Sequence, residues 1–190
     1  TSALSVAGEW VKPARAQRAT GPEQAYAWVL PGNGADAIRG LASLLKDGVT
    51  VRRADTGFTV EGQVFAAGDF VITRRNNEGV ADMAGALARA SQAAGTRALA
   101  VTSGRVTSGY DFGSSHYDAI QAPRVATIVG PGVSSLSAGE IWHHFETKLD
   151  YPLNRVGAMD ELDLDNLDVV ILPSGWYRMG DDERSALADL

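Results

Sequence analysis

The sequence predicts an α/β protein, with a small mixed-sheet α/β domain followed by the first half of a doubly wound domain. Three observations carry this. Short apolar runs alternate with stretches of helical period, and 190 residues suffice for one large domain or two small ones. Two unbroken apolar runs, RVATIVG (124–130) and LDVVILP (167–173), have the pattern of strands buried on both faces of a parallel sheet.

Residues 1–24 mix Pro, Gly, Gln and Arg with scattered apolar residues and read as a lead-in with one strand around Val6–Val11. AYAWVLP (25–31) is a strand closed by Pro31. NGADAIRGLASLLKDG (33–48) then places Ile38, Leu41, Leu44 and Leu45 on one helical stripe, with Gly48 as its stop. VTVRRA (49–54) and GFTVEGQVFAAGDFVITRR (57–75) divide at Gly57, Gly62 and Gly68 into three expected strands, Glu61-Gly62 forming a hairpin turn. GVADMAGALARASQAAG (79–95) predicts a second helix through Val80, Met83, Leu87 and Ala90, and TRALAVTSG (96–104) a strand. Residues 25–106 thus form the small α/β domain.

TSGYDFGSSHYDAIQAP (107–123) is rich in Ser, Gly and Asp without sustained period and reads as a connecting segment. Beyond it, the strand at 124–130, a helix over Ser137–Leu149, an extended YPLNRVG (151–157) and the buried strand at 167–173 form the opening half of a flavodoxin-like domain over 124–190. DDERSALADL (181–190) has acids in its first turn and then an apolar pattern, the start of a further helix in a domain expected to be truncated at Leu190.

Charge and composition narrow the function. A net charge of −6 and a pI near 5.0 leave no basic face for nucleic acid or an anionic membrane. The absence of cysteine removes disulfides, thiolate metal sites and a cysteine nucleophile together. No apolar run approaches the roughly 18 residues of a membrane span. The first residues lack a signal-peptide pattern and an initiator Met, so the chain is expected to be cut from a longer polypeptide.

GEIWHHFETKLDYP (139–152) invites a metal assignment, through Glu140-x-x-His143 or His143-x-x-Glu146. Residues 143 and 144 diverge by about 100° on an α-helix, so both imidazoles cannot face one ion. A zinc site needs at least three protein ligands, and His116 lies in a distant Gly/Ser segment. We therefore read 137–149 as amphipathic scaffolding: Ile141, Phe145 and Leu149 face the sheet, Trp142 covers its edge, and His143, Glu146 and Lys148 are solvated.

VGPGVSS (129–135) joins a strand to a helix, where such folds cradle phosphate, but it carries only two glycines of the dinucleotide fingerprint and no Walker lysine. LPSGWY (172–177) follows the next strand and lacks a G-x-S-x-G elbow. Gly130, Gly132, Ser134, Ser135, Ser174 and Trp176 are accordingly candidates for a weak ligand loop, while tight turns and a hydrophobic lid or interface patch explain the same residues. The Arg-Arg pairs in VRRAD (51–55) and ITRRNNEG (72–79) read as solvated rims or interface ion pairs, and MDELDLDNLD (159–168) as a surface helical turn without calcium-loop spacing. No catalytic, cofactor or metal-ligating residue is assigned.

Three blocks, YAWVLPGNGADAIRGLASLLKDGVTVRRADTGFTVEGQVFAAGDFVI (26–72), GYDFGSSHYDAIQAPRVATIVGPGVSSLSAGEIWHHFETKLDYPLNRV (109–156) and LDVVILPSGWY (167–177), carry a family resemblance. Together they resemble the region downstream of the catalytic domain in large bacterial proteins of the zinc carboxypeptidase family. Those proteins are similar to carboxypeptidase A in their first half and to class I glutamine amidotransferases in their tail. The resemblance implies an amidotransferase-like domain over 124–190, and zinc in the parent's catalytic domain with none in this segment. It further implies a secreted or periplasmic protein whose partners are its own peptidase domain and a peptide or cell-wall fragment. The family's His-x-x-Glu and distant His belong to the catalytic domain, so His143-x-x-Glu146 is coincidental, and no amidotransferase triad maps onto these residues. The expected function is a non-catalytic accessory region. Two rivals are kept: an amidotransferase-like or hydrolase enzyme whose active residues lie beyond Leu190, and a small-ligand or nucleotide sensor using 130–135 and 174–177.

Overall fold

The structure, a computed structural model, describes residues 24–177 and 179–188, apart from the side chains of Glu183 and Ala186. The strand expected around Val6–Val11 lies outside these residues. The architecture is α/β, as expected, with strands β1 (Ala27–Leu30), β2 (Val51–Ala54), β3 (Phe58–Val60), β4 (Gln63–Phe65), β5 (Phe70–Thr73) and β6 (Leu99–Val101) interleaved with helices α1 (Ala35–Lys46) and α2 (Met83–Ala93). Then follow β7 (Val106–Ser108), β8 (Tyr117–Ile120), β9 (Val125–Ile128), α3 (Ser135–His143), β10 (Asn154–Val156), β11 (Val169–Ile171) and α4 (Asp181–Ala188).

The first unit has three layers. An antiparallel sheet in the order β6-β1-β5-β2-β8 lies between a helical layer and a second antiparallel sheet, β4-β3-β7. Side chains alternate across a strand, so Trp28 and Leu30 of β1 join Phe70, Ile72 and the helical Leu44, Leu87 and Ala90 on one face. Ala27 and Val29 join Val71, Val101 and the small sheet's Phe58, Val60 and Phe65 on the other. A strand at the centre of three layers is buried on both faces, hence the unbroken run AWVL. Phe58 is wholly enclosed, stacking on Phe65 at 4.9 Å and meeting Phe112 and Tyr117 edge-on. Burial of a side chain of this size contributes about 1.5–3 kcal/mol.

Four strands, not the expected three, separate α1 from α2, because Gly68 and Asp69 break the run after Phe65. Asp69 is buried, and its carboxylate accepts from Gly32 N at 2.9 Å and Ala66 N at 2.9 Å, fixing that corner. The hairpin at Glu61-Gly62 is present: both residues have positive φ, 51° and 74°, and Val60 pairs with Gln63. In α1 the buried residues are Ala37, Gly40, Ala42 and Leu44, whereas Ile38, expected on the core stripe, is exposed. The reason is close approach of the two helices: a Cβ on Gly40 would lie 2.8 Å from that of Ala94. Residues 107–123, read as a connecting segment, supply strands β7 and β8, and Phe112 and Tyr117 enter the core. β8 closes the main sheet against β2, a non-local pairing that short-range periodicity does not reveal.

The second unit is a parallel sheet in the order β10-β9-β11. With β9 first in the chain, this is the order in which a flavodoxin-type sheet opens. All four residues of β9 are buried, as the sequence suggests. The run at 167–173, expected as a second buried strand, is the outer strand of the sheet among the described residues, and Val169 and Leu172 are exposed there. The expected helix over 137–149 begins at Ser135 and passes into a π-helical turn over His144–Leu149, ending on Asp150 at φ 49°. Ile141, Phe145 and Leu149 are partly buried while His143, Glu146 and Lys148 are exposed, the distribution the amphipathic reading calls for. The acidic stretch forms two 3-10 turns, Met159–Glu161 and Leu164–Asn166. No helix among the described residues is long and apolar enough to cross a membrane.

A candidate ligand cleft at the strand ends

Parallel sheets gather their crossover loops at the C-terminal strand ends, and the crevice opens where successive crossovers leave in opposite directions. Here that point lies between β9 and β11. The loop after β9 turns at Gly132, whose φ is 89°, and meets the loop after β11 through an isolated bridge, Val133 to Gly175. Trp176 N donates to Gly132 O at 3.0 Å and Ser134 N to Ser174 O at 2.8 Å. Four of the candidate residues, Gly132, Ser134, Ser174 and Trp176, are thus brought into one loop pair.

The glycines serve that closure. A Cβ on Gly130 would fall 1.5 Å from Gly157 O, and one on Gly175 would fall 2.8 Å from Gly132 O. The space a phosphate cradle keeps open is filled here by the protein's own backbone. The serines are also engaged: Ser134 caps α3, accepting from Ser137 N at 3.4 Å, and the Ser137 hydroxyl accepts from Ser174 N at 3.1 Å. Ser135, the first residue of α3, is exposed.

Beside the closed loops lies an open cleft of about 680 Å³, lined by Pro131, Gly132, Met159, Asp160, Trp176 and Tyr177 among others. Among the described residues its one charged lining residue is Asp160, set among apolar and aromatic side chains. Tyr177 donates its hydroxyl to Pro173 O, and burial raises its pKa, keeping it a neutral donor. Trp176 stands 90 % exposed on a backbone fixed at Gly175 and Gly132, and Leu136 in the first turn of α3 is 73 % exposed. The wall at 157–160 escapes the sequence reading, although GAMD follows the extended YPLNRVG as the other two loops follow their strands.

His143 and His144 are both exposed at the end of α3. The Thr147 hydroxyl donates to His143 O at 2.7 Å, and among the described residues no group of three or more His, Cys, Asp or Glu side chains is placed to hold a metal ion. The third histidine is the better organised. His116 Nδ1 lies 2.8 Å from Asp55 Oδ2, and its ring stacks on Tyr110 at 3.5 Å. Asp55 N donates to His116 O at 3.0 Å, so the pair ties the end of β2 to the start of β8. His116 and Asp55 thus brace these two strands of the first unit against each other.

Fold and cleft together define an α/β protein with an aromatic-rimmed crevice at the ends of a parallel sheet. No protein-family model, curated protein or solved structure matches the chain.

Proposed function

We propose that this chain is a non-catalytic accessory region of a larger zinc carboxypeptidase-like protein, ending in an amidotransferase-like domain, and that it docks on the peptidase or holds part of a peptide substrate. The observation that carries the binding role is Trp176, a large aromatic presented 90 % exposed on a rigid turn at the strand ends of a parallel sheet. A solvated indole contributes nothing to folding, whereas rigid aromatic anchors contribute strongly to docking. Val129, Leu136 and Leu172, from the same strand ends and the following helix, add exposed apolar surface. The zinc of such a parent belongs to its catalytic domain, and export to the periplasm or exterior follows from the same kinship.

Two measurements test this. The gene should encode, upstream, a domain with His-x-x-Glu and a later His; a Gly-x-Cys-x-Gly or Gly-x-Ser-x-Gly elbow shortly downstream instead assigns chemistry to this domain and overturns the accessory role. In the parent protein, Trp176→Ala should raise KM for long peptide substrates and leave kcat on a dipeptide unchanged. Equal kinetics on both substrates, with the domains still joined, removes the binding role.

A further inference from the structure

A crevice of about 280 Å³ opens where the end of α1 meets the turn after α3, walled by Trp142, Phe145 and Tyr151. Four charged side chains, Lys46, Glu146, Asp150 and Arg155, line it as well. It lies toward the N-terminal end of β10, on the side of the sheet away from β11 and at the opposite strand ends from Trp176. Its shape is fixed by backbone. Over His144–Leu149 the helix widens into a π-turn, and Tyr151 N donates to Phe145 O at 3.1 Å beyond it. Single π-turns of this kind recur at functional sites. Asp150 takes a left-handed conformation, φ 49°, and its carboxylate pairs with Lys46 Nζ at 2.7 Å, tying the turn to α1. The Tyr151 hydroxyl donates to Pro123 O at 3.0 Å, which holds that ring in the wall.

The charges decide what fits. Lys46 and Asp150 neutralise each other. Among the described residues neither Arg155 nor Glu146 takes part in a hydrogen bond or an ion pair. Exposed charges are ordinarily solvated and contribute little, but Arg155 is already placed: its guanidinium lies over the Trp142 ring, 4.8 Å from the centroid. Stacking occupies the face of the guanidinium and leaves the N–H donors along its edge as a planar fork that matches a carboxylate. Glu146 adds a carboxylate, an acceptor for an ammonium, in the same crevice. A cation and an anion both unspent beside aromatic walls are complementary to a zwitterion, with its carboxylate on Arg155, its ammonium on Glu146 and its side chain against Phe145 and Tyr151. A phosphate has no ammonium to offer and would bring more negative charge beside Glu146 and Asp150. The volume sits at the small end of ligand pockets, which run about 300–1,000 Å³, and so suits a single amino acid rather than a long peptide. We propose that this crevice binds a free α-amino acid with an apolar or aromatic side chain. The site stands beside the accessory role and does not rest on it.

The probe is L-phenylalanine, titrated into the whole chain by calorimetry at low salt, with the Arg155 Nε–H and Trp142 indole N–H signals followed by NMR. Both signals should shift along one saturation curve. Phenylpropionate, which lacks the ammonium, and phenethylamine, which lacks the carboxylate, should each bind about tenfold more weakly, the loss expected for one hydrogen bond between charged groups. Arg155→Lys, which keeps the charge and loses the fork, and Glu146→Gln should each weaken L-phenylalanine by about tenfold. Neither should move the melting temperature, since both side chains are exposed. The analogue series leaves the protein unaltered, so it decides the matter even where a variant is destabilised. Equal binding of the three probes, unchanged affinity in Arg155→Lys, or Arg155 and Trp142 signals that stay fixed at millimolar L-phenylalanine overturns the site.

Discussion

Ser134 donates its backbone N–H to the carbonyl of Ser174 at 2.8 Å, and through this bond the loops after β9 and β11 become one body. The glycines on either side permit it, since each lies where a side chain would collide with backbone. Gly130→Ala should therefore cost about 1–3 kcal/mol or more by driving a methyl into the Gly157 carbonyl. Gly139→Ala, inside α3 with nothing within 4 Å, should stabilise by about 0.5–1 kcal/mol. Urea unfolding of the two variants measures the contrast, and equal effects would show that the loops relax freely.

Trp176 and Trp28 have opposite assignments. Trp28, 5 % exposed, anchors the helical face of the main sheet, so Trp28→Ala should cost about 3–5 kcal/mol. Trp176→Ala should change stability by no more than about 0.5 kcal/mol, as surface substitutions do. Matched losses would mean that Trp176 is part of the core, and its proposed docking role would lapse.

Asn77 is buried and holds two elements at once. Its Oδ1 accepts from Thr50 N at 2.7 Å, and its Nδ2 donates to Thr50 O at 3.0 Å and Thr73 O at 2.9 Å. Asn77→Ala leaves these backbone groups unpaired in the interior and should cost about 2–3 kcal/mol. Asn77→Asp, which loses the donor and adds a buried charge, should cost more than Asn77→Ala in chemical denaturation.

The Arg124–Asp168 pair predicts an acid-limb effect. Hydrogen bonds from the Arg124 side chain, then from its backbone N–H, hold the Asp168 carboxyl at about 2, below its usual 3.8. Over that interval the unfolded chain binds the proton and the folded chain does not, so stability rises with pH there. The contribution is present above about pH 4 and is lost as pH falls toward 2. Asp168→Asn should flatten that part of the melting-temperature profile, and an unchanged slope between pH 4 and 2 would show the pair to be inert. The pair is solvent-exposed, so the effect is small.

His143→Ala with Glu146→Ala should leave metal content at background and cost little stability, since both side chains are exposed. Stoichiometric zinc in the purified chain, lost in the double variant, would overturn the scaffold assignment of this helix.

Local chemistry determined much of this protein. Proline, glycine and helical spacing marked β1, α1 and α2 near their observed places, and Glu61-Gly62 specified its hairpin because two consecutive positive φ angles suit that pair. The unbroken run of β9 signalled burial on both faces, and the order of apolar runs marked 130–135 and 174–177 as the loops that follow two parallel strands. What only the tertiary structure decided was which partner each surface meets. β8 hides in a Ser/Gly-rich stretch because its strand identity comes from pairing with β2, more than 60 residues away in sequence for Arg53 and Asp118. Ile38 faces outward because Gly40 lets α2 approach on another side, and among the described residues β11 is the outer strand although its composition matches that of a buried one. Periodicity records how apolar a position is along the chain; neighbours across space are set by long-range packing, which a local pattern does not encode.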